Sequence, residues 1–208
     1  RREESTPTTG RESICGSPGG MEKGGLGQAL VGAGLAGGQL VCHSDEMRLG
    51  LRGQVRRVWG IRGVKVRQRV ECTYQWCYLA LAVDTLGALY WQWLANLKKE
   101  QVAQLVRDWR EAEIEALVWD NAPGHKARMV SGVGMTLVSL PPYAPELNPA
   151  ERIFEELRRS VEGRIYGSLE KKKARVEEEL VALAADPGRV KQLCSWSWIR
   201  AALEQLPL

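Results

Sequence analysis

Residues 76–97 form the most apolar stretch of the chain, yet Asp84-Thr85-Leu86-Gly87 breaks it in two. A membrane-spanning helix needs about 20 uninterrupted apolar residues, and the interruption is made of turn formers. The stretch therefore reads as a hairpin, with strands at 72–83 and 86–94 rich in Tyr, Trp, Val and Leu. Around it the spacing predicts a strand at 39–45, short strands at 55–59 and 64–69, and a helix at 98–110. In that helix Val102, Leu105, Val106 and Trp109 fall on one stripe. A buried strand at 116–119 ends at Asp120, a short helix starts at 126–130, and a strand at 135–140 runs into four prolines between Pro141 and Pro149. Asn148 is placed to cap a helix with Pro149 in its first turn and Ile153, Phe154, Leu157 and Val161 as its buried stripe. Further helices are expected at 169–184 and 196–206. The order strand, hairpin, helix, strand, helix, strand, helix is an α/β pattern with a mixed sheet flanked by helices.

The chain's 208 residues, 44% of them apolar, suffice for one domain with a real core. The first 38 residues stand apart, with 11 of the 22 glycines and no aromatic residue. They are expected to be disordered, and the folded domain to run over 39–208. Five cysteines without a C-x-x-C motif and only two histidines point away from a disulfide framework or a zinc knuckle. No signal peptide opens the chain, so a soluble protein in a reducing, cytoplasmic setting is expected.

Three carboxylates stand at ends of elements: Asp45, Asp120 and Glu151. Magnesium takes hard oxygen ligands and keeps several waters, so carboxylates from separate elements meeting at one sheet edge suit phosphoryl transfer without a nucleophilic side chain. Each also has a plainer reading. The aspartates are turn formers, Asn148-Pro-Ala-Glu151 matches a capping box, and His125 suits a hydrogen bond in its loop.

In combination these residues resemble one family. Trp119-Asp-Asn-Ala-Pro-Gly-His125, then Leu140-Pro-Pro-Tyr-Ala-Pro-Glu-Leu-Asn-Pro-Ala-Glu151 and the helix at 152–159, is similar to the catalytic core of mariner-superfamily transposases from bacterial insertion sequences. Ser44-Asp45-Glu46 resembles that family's first-strand block. The resemblance implies a ribonuclease-H-like fold, a DDE endonuclease with Asp45, Asp120 and Glu151 as catalytic metal ligands, and magnesium, replaceable by manganese. It further implies DNA strand cleavage and strand transfer, with DNA as partner and a homodimer as one form of assembly. The family also carries helix-turn-helix modules in front, where this chain has glycines, so a catalytic fragment or a decayed copy is expected; the alternative function is a catalytically inactive DNA-binding or oligomerising remnant of a transposase.

The charge distribution points to nucleic acid independently. A net charge of +4 is mild, but residues 47–70 hold eight basic residues and no acid. Arg56, Arg57, Arg62, Lys65, Arg67 and Arg69 of this segment are the candidate DNA-binding residues. Gly32-Ala-Gly-Leu-Ala-Gly37 satisfies G-x-G-x-x-G, but it leads into a strand rather than a helix, so no nicotinamide cofactor is expected. Asp84 is assigned to the hairpin tip, roughly 25–30 Å from the far end of its strand, and so away from the site.

Overall fold

The structure, a computed structural model, describes residues 20, 24–53, 59, 61–63, 65, 67 and 69–208. Five strands form one sheet: β1 (Val41–Gly50), β2 (Trp76–Val83), β3 (Leu89–Leu94), β4 (Ala116–Trp119) and β5 (Thr136–Ser139), in the order β3-β2-β1-β4-β5. The first three are antiparallel, while β4 and β5 continue parallel to β1. Among the described residues seven α-helices accompany them: α1 (Leu26–Gly32), α2 (Lys99–Glu111), α3 (Arg128–Ser131), α4 (Ala150–Val161), α5 (Leu169–Ala184), α6 (Pro187–Cys194) and α7 (Ser197–Leu203). No helix among the described residues is long and apolar enough to cross a membrane.

Strand alternation divides the core. Met47 and Leu49 of β1, with Leu79, Leu81 and Val83 of β2, pack under Ile153, Phe154 and Leu157 of α4 and under α5 and α6. Val41, Ala116, Val118 and Val138 extend that face beneath α1 and α7. Cys42, Ala80, Ala82, Leu117 and Trp119 point the other way, against α2 and α3. Each fully buried Leu, Ile or Phe contributes roughly 1.5–3 kcal/mol, so α4 is held against the sheet by its apolar stripe.

Several expectations change. The first strand does not stop at Asp45 but runs to Gly50, because Met47 and Leu49 are buried and Arg48 stacks on Trp76 at 4.3 Å. The hairpin strands start later, at Trp76 and Leu89. From Gly24 onward the glycine-rich stretch contributes to the core: Leu26, Ala29 and Leu30, at i, i+3 and i+4, pack in the cluster with Ile199 and Ala202. Its G-x-G-x-x-G glycines run from the last residue of α1 into the link to β1, a helix-to-strand order that reverses the dinucleotide fingerprint. An additional helix, α6, capped by Asp186 with Pro187 in its first turn, precedes α7, which is shorter than the expected 196–206. The expected strands at 55–59 and 64–69 fall largely outside the described residues, as do Arg56 and Arg57; Trp59, Lys65, Arg67 and Arg69 are not in strands.

Candidate active site

Parallel pairing of β1 with β4 sets His43 beside Val118. Two residues further, the same register brings Asp45 beside Asp120. With a side-chain period of two, Asp45 follows Met47 and Asp120 follows Val118, so both carboxylates project to the face that α4 covers. Glu151 comes from the first turn of α4. All three line one cleft of about 520 Å³, shared with Lys126, Tyr143 and Asn148.

Asn148 ties α4 to the sheet. Its Nδ2 donates to the carbonyl of Ser44 at 2.8 Å, and its Oδ1 accepts from the N–H of Ala150 at 3.2 Å. The expected capping box with Glu151 does not form, since the Asn148 N–H already donates to the carbonyl of Pro145 at 3.0 Å. The Glu151 carboxylate instead accepts from Arg158 Nη1, two turns along, at 3.2 Å.

The carboxylates differ in their electrostatics. Burial pushes Asp45 up to about 7, helped by the Glu46 charge and then by Glu151 and Asp120, against a lowering by the Glu46 N–H at 2.8 Å. Asp120 moves the other way: the hydrogen bond from His125 holds it below the usual range against partial burial. His125 Nδ1 lies 2.8 Å from Asp120 Oδ1, and Nε2 lies 3.2 Å from Glu46 Oε1. Burial opposes a charge on this imidazole, but its two carboxylate hydrogen bonds and their charges prevail and raise it to about 10. The ring also stacks on Trp119, with centroids 3.9 Å apart and planes 5° from parallel.

Asp84 lies on the opposite face of the sheet, with its Oδ1 accepting from the N–H groups of Leu86 and Ala88 at 2.9 and 2.7 Å. The long separation expected for it is wrong. Pairing of His43 with Val83 puts Asp84 beside Cys42, only three residues, about 10 Å, along β1 from Asp45. Facing, not distance, keeps it from the cleft.

Sequence reasoning missed Glu46 as a buried partner of His125, the Asn148 tether and Arg158. The alternation of β1 carried the first signal, since Glu46 is out of phase with Asp45, but its partner is 79 residues away. Among the described basic residues, Arg62, Lys65, Arg67 and Arg69 are exposed. Arg69 lines a second groove with Arg48, Arg52, Arg158, Arg164 and Lys172. The helix-start lysines are not all solvated: Lys172 donates to the Gly50 carbonyl at 2.7 Å, and Lys173 sits 4.8 Å from the centre of the Trp93 ring.

A five-stranded mixed sheet flanked by helices, with carboxylates delivered to one cleft from β1, the end of β4 and a following helix, is a ribonuclease-H-like domain. The sequence profile of the DDE superfamily endonuclease family matches residues 39–172, and the chain belongs to that family. Solved structures similar to it include the Mos1 transposase paired-end complex with left transposon end, at TM-score 0.61 and 14% identity over 99% of this chain and 67% of that one. The Mos1 mariner paired-end complex with Mn matches at TM-score 0.61 and 14% identity, over 98% and 68%. The catalytic domain of Mos1 mariner transposase matches at TM-score 0.51 and 14% identity, over 91% of this chain and 95% of that one. Comparison with curated protein sequences gives no match.

Proposed function

We propose that this chain is the catalytic domain of a transposase of the mariner superfamily, of the kind found in bacterial insertion sequences, acting on DNA in the cytoplasm. In this reading Asp45, Asp120 and Glu151 are the metal ligands. The observation that carries it is the cleft itself: three carboxylates from three separate elements face one space, where burial, then the Glu46 charge, and to a smaller extent Glu151 and Asp120 push Asp45 up to about 7. The gathering of three carboxylates and the oxygen-only donor set fit a hard divalent cation. Neither ring nitrogen of His125 is free to ligate. Among the described residues no three His, Cys, Asp or Glu side chains are drawn close enough to enclose an ion alone; magnesium sites of this class are completed by water and substrate phosphate.

Bound magnesium, or manganese in its place, supplies Lewis acidity at a phosphodiester and eases deprotonation of the attacking water or 3′ hydroxyl. The chain's part is to hold charge in position. His125 keeps Asp120 anionic and fixed, Asn148 sets the helix start that presents Glu151, and Arg158 steadies that carboxylate at the cleft wall. Lys126 lies on the same cleft, and the groove lined by Arg48, Arg52, Arg69, Arg158, Arg164 and Lys172 offers positive charge to a phosphate backbone. Arg62, Lys65 and Arg67, together with Arg56 and Arg57, belong to the same reading, and a homodimer is the proposed assembly.

The test is nicking of supercoiled plasmid by the purified chain with magnesium or manganese. Conversion to open circles that requires the metal and is lost in Asp45→Asn supports the proposal, whereas metal-independent nicking, or nicking unchanged in that variant, defeats it. DNA retention with no metal-dependent nicking leaves a DNA-binding remnant. Retention itself should be nearly indifferent to sequence and drop about a hundredfold or more between low and physiological salt, measured by filter binding.

A further inference from the structure

Tyr143 has a backbone φ of 57°, in the left-handed region that bulky residues avoid. Its ring is fully exposed and, among the described residues, makes no hydrogen bond or ring contact, so folding gains nothing from it. The conformation is nevertheless imposed. Pro141 and Ala144 on either side are buried, Leu147 is buried just beyond, and Leu140 is held by the Asn121 side chain, which donates to its carbonyl. A glycine would relieve the strain at no loss of packing. The tyrosine instead stands on the rim of the cleft that holds Asp45, Asp120 and Glu151. Strain kept at a site rim, with no return in stability, motivates a role in function.

We infer that the Tyr143 ring is a stacking platform for a nucleobase beside the scissile phosphodiester. The inference rests on the DNA-cleaving reading of the same cleft and adds to it the contact that places the strand. Three features select a base over a phosphate or a protein partner. The neighbouring carboxylates repel anions that are not neutralised. Lys126 on the same cleft already provides a cation for the backbone. A free aromatic face adds attraction to any base, whatever its identity, because every base has a π-face. Bases inside a duplex are covered on both faces, so the platform takes one at a strand end, nick or unpaired junction.

The experiment is photo-crosslinking of the full chain to a duplex with a short single-stranded 3′ tail carrying 5-iododeoxyuridine at the junction, followed by peptide mass spectrometry. It is performed with calcium, and binding of the same probe is measured in parallel by gel shift. The expected result is a crosslink on Tyr143, a yield lowered about tenfold by Tyr143→Gly, and a yield largely kept by Tyr143→Phe. The glycine variant should melt no lower than the parent, which separates loss of the ring from loss of fold. A crosslink only at other residues, or a yield unaffected by Tyr143→Gly, overturns the platform while the binding readout leaves the DNA reading standing. A parent chain that does not shift the probe at any low salt concentration overturns both.

Discussion

Asp45 and Glu46 are neighbours in sequence and nearly identical in chemistry, yet they occupy opposite environments. Glu46 turns to the α2 and α3 side, where it is buried against His125, itself stacked on Trp119. Asp45 turns to the α4 side, where it meets no cation and shares a cleft with Asp120 and Glu151. A buried carboxylate paired with an imidazolium stabilises its surroundings only while both partners remain. A carboxylate crowded by others stores repulsion that a bound cation can relieve. Strand alternation alone makes the difference, one residue lining the cleft and the next joining a buried pair.

The comparison can be broken from either side. The largest effect should follow loss of the cleft charges: Asp120→Asn, Asp45→Asn or Glu151→Gln should lower metal-dependent nicking by about a thousandfold or more with the fold retained. Plasmid conversion alongside circular dichroism checks this, and undiminished nicking in any one variant removes that residue from the site. Next in size is His125→Ala, which leaves Glu46 buried without its partner and should cost about 3–5 kcal/mol by urea denaturation. A loss below 1 kcal/mol would mean that the imidazole is not holding the far side of the sheet.

A smaller effect is the response to pH. Asp45 is raised in the folded state to about 7 from 3.8, so its protonated form favours folding. That contribution is complete below about pH 4 and disappears as pH rises through 7. His125, raised to about 10, contributes stability present below its ordinary value of 6.5 and lost as pH climbs through 10, so the two act in the same direction. Metal-free protein should therefore melt several degrees lower near pH 8 than near pH 5.5, and Asp45→Asn should flatten the part below pH 7. Magnesium should raise the melting temperature more at the higher pH, and an equal shift at both would disconnect Asp45 from the cation. The smallest effect on activity belongs to Asp84→Ala, with nicking within about twofold of the parent and a stability loss of about 1–2 kcal/mol from two orphaned turn N–H groups. A severe nicking defect in that variant would mean that Asp84 serves the site from the opposite face.

Much of this was legible in the residues. β4 and α5 match their expected bounds, because a short apolar run ending in Asp120 and a long stripe capped by Ser168 each carry a local signal. The meeting of Asp45 with Asp120 and Glu151 at one cleft was readable too, but the position of Asp45 in mid-strand was not. The burial that extends β1 to Gly50 depends on Phe154 and Leu157, more than a hundred residues away. The pairing of Glu46 with His125 was hidden for the same reason. α1 escaped notice because a composition rich in glycine masks three well-spaced apolar residues.

The bond from Asn148 to the Ser44 carbonyl spans 104 residues of sequence. Asp45 and Glu151 are thereby referred to a common anchor that does not pass through the intervening chain, while Asp120 is located by its own strand pairing and by His125. The connection from Asp120 to Asn148 is therefore free to be shortened or lengthened over evolutionary time, provided β5 still closes the edge and the asparagine returns to its carbonyl. By this geometry the spacing between Asp120 and Glu151 matters less to the cleft than the asparagine three residues before the glutamate.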